Sequence, residues 1–101
     1  MDKKFLKKLI SIGHTLSPIL RITKQELSPN VMNELNRALD DHELIKVKIV
    51  GEKGIRDNLF LQIKALAETK IVQRVGGVLL LYRPSKEANK KLSNILRSGK
   101  H

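Results

Sequence analysis

The chain has no cysteine and no tryptophan, and its aromatics are two phenylalanines and one tyrosine among 101 residues. Without cysteine there is no disulfide, no thiolate metal site and no thiol nucleophile. With so few rings the core must be built from Leu, Ile and Val, and there is little to stack a base on. No apolar run approaches the ~18 residues needed to span a bilayer; the longest strong one, Val78 to Tyr82, is a strand's length. The N-terminus does not read as an export signal. Lys7 and Lys8 interrupt its apolar stretch and no small-residue cleavage site follows. With the missing cysteines, this leads us to expect a cytoplasmic protein. Acids are also few: ten, against twenty Lys and Arg, for a net charge of +10.

What is present is one domain's worth of apolar residues, 41% of the chain, and an uneven charge. Residues 1–24 carry +5, residues 25–70 carry −1 and residues 71–101 carry +6. If the fold joins the two ends, they make one basic face. A polyanion is then the expected partner. The plainer explanation is solubility, for which a net charge of about 2–8 suffices in a small domain.

Periodicity sets the elements. Phe5, Leu6, Leu9 and Ile10 predict a helix over 2–13, its other side filled by Lys3, Lys4, Lys7 and Lys8, with Gly13 as a C′ residue. Pro18–Ile22 reads as a strand begun by proline. Ser28 as N-cap and Pro29 in the first turn open a helix over 28–42. Residues 44–50 alternate, so Ile45, Val47 and Ile49 face a core while Lys46 and Lys48 share the opposite face. Gly51 to Gly54 reads as a turn, and 55–69 as a third helix. Lys70–Val75 and Val78–Arg83 form a hairpin through Gly76-Gly77, expected as a type I′ turn. Ser85 caps a last short helix bearing Ala88, Leu92, Ile95 and Leu96. The fold class is α/β: a compact two-layer domain, order αβαβαββα, with a four-stranded mixed sheet and helices packed on it.

No catalytic or phosphate-loop motif occurs, and His14, His42 and His101 lack metal-ligand spacing. Asp40, Asp41 and Glu43 read as a solvated helix end. No enzyme, metal, cofactor or small-molecule substrate is expected. The basic groups stand out more. Lys46 and Lys48 share a face, Arg21 and Arg83 sit on strands, and Lys24 lies in the loop before the helix that starts at Ser28-Pro29. A helix N-terminus offers free N–H groups to a phosphate; an ordinary capped loop is the equal alternative.

The run His14-Thr-Leu-Ser-Pro18, then Leu27-Ser28, Ala38-Leu39 and His42-Glu-Leu-Ile-Lys-Val-Lys-Ile49 resembles the CRM (chloroplast RNA splicing and ribosome maturation) domain family. The closing pieces, Val75-Gly76 and Leu81-Tyr-Arg-Pro84, resemble it too. The likeness is greatest to its stand-alone bacterial, YhbY-type members. It implies residues 1–84 as an RNA-binding domain and 85–101 as a short basic C-terminal helix or tail. It also implies a fold similar to the C-terminal domain of translation initiation factor three, and a partner in ribosomal RNA of large-subunit precursors. The family's Gly-x-x-Gly loop falls here on Thr23-Lys-Gln-Glu26, where both glycines are absent and Glu26 adds a negative charge.

The expected function is therefore binding of structured ribosomal RNA during large-subunit assembly, by a monomer, without catalysis or a membrane. Lys24, Lys46, Lys48 and Arg83 would neutralise phosphates, with Arg21 beside them. Lys3, Lys4, Lys7 and Lys8 would extend the footprint, and His14, Gln25 and Tyr82 would contact RNA directly. Two alternatives remain open: a protein-interaction subunit that docks on an acidic or ribosomal protein surface, and membrane-surface attachment through the basic helix 2–13.

Overall fold

The computed structural model describes residues 2–23, 26–85 and 92–97. Three helices and four strands alternate along it: α1 (Lys3–Gly13), β1 (Pro18–Ile22), α2 (Pro29–His42), β2 (Leu44–Ile49), α3 (Lys53–Lys64), β3 (Lys70–Val75) and β4 (Val78–Tyr82). They come in the order the sequence predicts. The eighth element, expected as a helix from Ser85 through Leu96, lies in part on residues 86–91, outside the described residues; in the described part, 92–97, the chain makes turns and no helix.

The sheet has the order β1-β2-β4-β3, with β1 parallel to β2 and β4 antiparallel to both its neighbours. β4 therefore inserts between the two strands that run alike, β2 and β3. This central strand is apolar throughout, Val-Leu-Leu-Leu-Tyr, because it is covered on both faces. One face carries Ile22, Ile45, Val47, Ile49, Leu79 and Leu81 under Leu35 and Leu39 of α2 and Leu59 and Ile63 of α3. The other carries Leu44 and Leu80 under Leu9 and Ile12 of α1. The two expected layers are thus the sheet and the α2–α3 pair, and α1 covers part of the sheet's reverse. Each such Leu or Ile contributes about 1.5–3 kcal/mol by leaving water.

Local chemistry explains the ends of the elements. Asp2 caps α1 by accepting from the Lys4 N–H at 2.9 Å, and Ser28 caps α2 by accepting from Val31 N–H at 3.2 Å. Gly13 is not the left-handed C′ residue expected from sequence. It is the last helical residue, and it is buried against Leu80, where a Cβ would lie 2.6 Å from that side chain. Glycine here allows close approach of helix to sheet, not a turn. α3 stops at Lys64, short of the predicted Thr69, and Glu68 takes a φ of 60° where the chain turns toward β3. Leu66 still reaches the core from that turn. In the hairpin only Gly76 has positive φ, 59°, so the turn is not type I′. Gly77 is required for another reason: its carbonyl accepts from Ile49 N–H at 2.7 Å, and a Cβ there would meet the Ile49 carbonyl oxygen at 2.5 Å.

Candidate nucleic-acid interface

The alternation of β2 does to the lysines what the sequence predicts. Ile45, Val47 and Ile49 are buried under α2 and α3, while Lys46 is half-buried and Lys48 exposed on the reverse. Parallel partners point the same way, and Arg21 of β1 pairs with Lys48. The two strands lie about 4.8 Å apart, and Lys46 and Lys48 stand about 6–7 Å apart along β2. His14, the C-cap of α1, lines a cleft with Lys46, Gln73 and Val75 at the edge of this patch. α1 lies on the same side, at the Leu44–Leu80 end. Its buried residues Leu9 and Ile12 leave Lys3, Lys4 and Lys7 exposed on its outer side, with Lys8 half-buried.

Most of the acids are placed elsewhere; exceptions include Asp2, which caps α1, and Glu43, which is bonded to Ser85 and Ser93. The four strands and α1 contain none. Glu34, Asp40 and Asp41 lie on α2, Asp57 on α3, and Glu52 and Glu68 near the ends of α3, in the layer behind the sheet. Two ion pairs occur among the described residues, Arg74–Asp57 and Arg83–Asp40, and neither involves a cation of the patch. Leaving like charges together without carboxylates costs stability by self-repulsion. A polyanion would relieve it and release its own counterions.

Two expected contact residues are committed to the fold. The Arg83 side chain is 11% exposed, and its guanidinium donates to Asn36 Oδ1 at 2.8 Å and Thr69 Oγ1 at 2.9 Å. These partners lie on α2 and the turn before β3, so Arg83 ties the end of β4 to the acid-bearing layer, away from the patch. Tyr82 faces α1, edge-on to Phe5 with ring centroids 5.5 Å apart. Burial, and then the charge of Glu43, push its phenol above the ordinary value of 10.0. Lys24 and Gln25 lie outside the described residues, between exposed Thr23 and Glu26.

Glu43 is not part of a solvated helix end. It is 7% exposed, takes a φ of 61°, and accepts from Ser93 Oγ at 2.8 Å and Ser85 N–H at 3.1 Å. Its neighbours continue this fastening: the His42 ring bonds the Leu92 carbonyl at 2.8 Å, and Asn94 Nδ2 donates to the Leu44 carbonyl at 2.7 Å. The described part of the C-terminal tail is therefore packed on the domain, with Ile95 in the α1-side core. Sequence reading missed this role of His42-Glu43-Leu44. It also missed Lys70, exposed on β3 and paired with Tyr82, and Gln73, paired with Leu80. A shift in register between Ile71 and Gln73 breaks the alternation that would have placed Gln73. Among the described residues no three His, Asp or Glu gather to hold a metal, and no helix is long and apolar enough to cross a membrane.

Fold and face together define a class: a small mixed α/β domain that groups cations on one side of its sheet, with most of its acids in the helical layer behind the other. The chain belongs to the CRS1 / YhbY (CRM) domain family, which matches residues 1–83. It is 44% identical over 92 residues to a protein of Pseudomonas aeruginosa named "Probable RNA-binding protein", covering 90% of this chain and 88% of that one. It is 43% identical over 94 residues to an "RNA-binding protein" of Haemophilus influenzae, covering 90% of each. The solution structure of a Staphylococcus aureus protein proposed to bind RNA superposes with a TM-score of 0.67 at 27% identity, covering 92% of this chain and 97% of that one.

Proposed function

We propose that this protein binds structured RNA on the α1 side of its sheet and, through ribosomal RNA, assists assembly of the large ribosomal subunit without catalysis. The observation that carries the RNA reading is the segregation of charge: Arg21, Lys46 and Lys48 on the same side of the sheet as the lysines of α1, with the acids of α2 and α3 on the opposite layer. The relatives named as RNA-binding proteins support it. The ribosomal step rests on the family resemblance. Arg21, Lys46 and Lys48 neutralise phosphates at the centre, and Lys3, Lys4, Lys7 and Lys8 lengthen the contact along α1. Phe5 and Tyr82 pack against each other and Phe60 lies under the Arg74 guanidinium. Recognition therefore proceeds mainly through backbone and shape, as for double-stranded RNA, not through rows of stacked bases.

Crosslinking in cells, followed by sequencing of the attached nucleic acid, tests the reading. Enrichment of large-subunit ribosomal RNA precursors is expected. A profile dominated by DNA would contradict RNA binding, and one dominated by other RNAs would contradict the ribosomal step. Association with ribosomal particles that survives nuclease treatment would favour docking on protein instead.

A further inference from the structure

Lys46 borders two clefts. One is the sheet-face cleft it shares with His14. The other, about 310 Å³, opens at the start of β1, between residues 16–17 and the C-terminal segment. Its walls include Leu16, Pro18 and Ile19, the last 46% exposed; its polar groups come from Ser17, His42, Asn94 and Lys46. Two of these are oriented by bonds to the backbone. The Leu92 carbonyl can only accept, so His42 Nδ1 donates to it, and in that tautomer Nε2 is an acceptor. Asn94 uses Nδ2 on the Leu44 carbonyl, which leaves Oδ1 as an acceptor.

Apolar walls with fixed acceptors do not suit a phosphate. The two acceptors suit the two hydrogens of an exocyclic amino group on a flat, mostly apolar ring. The volume lies at the low end of the ~300–1,000 Å³ of small-ligand pockets, and Lys46 at the rim can hold the phosphate of the same nucleotide. We propose that this cleft receives one unpaired nucleobase of the bound RNA, with preference for a base bearing an exocyclic amino group. The inference rests on the RNA reading and adds to it a site of base discrimination on an otherwise backbone-directed surface.

The test uses three RNA hairpins with one stem: fully paired, with a single bulged adenosine, and with a single bulged uridine. Affinities are measured by fluorescence anisotropy with the full chain. The adenosine bulge is expected to bind about tenfold more tightly than the paired hairpin, and the uridine bulge only marginally more tightly. Ser17→Tyr, which fills the cleft from an exposed position, and Ile19→Ala, which strips its wall, remove the adenosine gain. Both leave affinity for the paired hairpin unchanged, and thermal melts establish that the variants are folded. Equal affinity for all three hairpins, an equal gain for uridine, or a gain that survives both substitutions overturns the proposal while leaving the phosphate-binding face intact. Absence of binding to any hairpin overturns that face and this cleft together.

Discussion

Replacing Arg83 by Ala separates a residue that holds the fold from one that holds RNA. Its guanidinium makes bonds of 2.8 and 2.9 Å to Asn36 and Thr69, with a third contact to Thr69 at 3.3 Å. Hydrogen bonds to a charged group contribute about 1.5–3 kcal/mol each, and buried partners left unpaired add to the loss. Thr69 is 9% exposed, so water replaces the arginine there poorly. Asp40, 3.8 Å away with its side chain 68% exposed, adds little, because solvent screens it. Asn36 is half-buried and regains part of its bonding from water, so Arg83→Ala is expected to cost about 2–4 kcal/mol, read by urea unfolding, and to lower Tm by on the order of 10–20 °C. RNA affinity and its salt dependence, measured well below the melting transition, stay unchanged. A variant with unaltered stability but a shallower salt dependence would refute the reasoning and return Arg83 to the RNA-contacting set.

Gly13→Ala drives a methyl toward Leu80 and is expected to cost about 1–3 kcal/mol by overpacking. Gly54→Ala, in the first turn of α3 with open space around it, gains up to about 1 kcal/mol; chemical denaturation of both variants checks the contrast. Tyr82 contributes stability that is complete below its unfolded pKa near 10 and is lost as pH rises through the higher folded value. Alkaline unfolding of Tyr82→Phe is therefore expected to start at higher pH than that of the unmodified protein. Asp57 works at the other end. The Arg74 hydrogen bond holds its carboxyl below the ordinary 3.8 against desolvation, with further help from the charges of Arg74, Lys53 and Arg56. Its contribution is present above that value and fades as pH falls through the lower folded one, so Asp57→Asn flattens acid unfolding.

The elements and the lysine face of β2 were legible because both follow from local period. Ile45, Val47 and Ile49 cannot be buried together unless Lys46 and Lys48 turn away. The caps at Ser28 and Pro29 were legible for the same local reason. What depended on distant partners was not. Arg83 on a strand end looks like a surface cation until α2 brings Asn36 beside it, and Glu43 looks solvated until Ser85 and Ser93 fold back over it. Gly13 and Gly77 have the local sequence context of turn residues, yet their lack of a side chain serves packing against Leu80 and Ile49, contacts 67 and 28 residues away in the chain. The Gln73 register shift erases the period that would have exposed its direction. Segregation of charge was half-visible. The +5 and +6 segments could be counted, but only topology puts α1, β1 and β2 on one side and the acids of α2 and α3 on the other.

The salt dependence of RNA binding tests that segregation most directly. Affinity for a ribosomal RNA hairpin is measured across a salt series for the unmodified protein, for Arg21→Ala with Lys46→Ala and Lys48→Ala, and for Lys53→Ala with Lys64→Ala on the acid-bearing side. The triple variant is expected to bind more weakly, with a log–log slope shallower by roughly 0.7–0.9 for each phosphate contact removed, while the α3 pair leaves affinity and slope unchanged. Equal losses from both sets, or a slope insensitive to the triple substitution, would contradict a single cationic RNA-binding side.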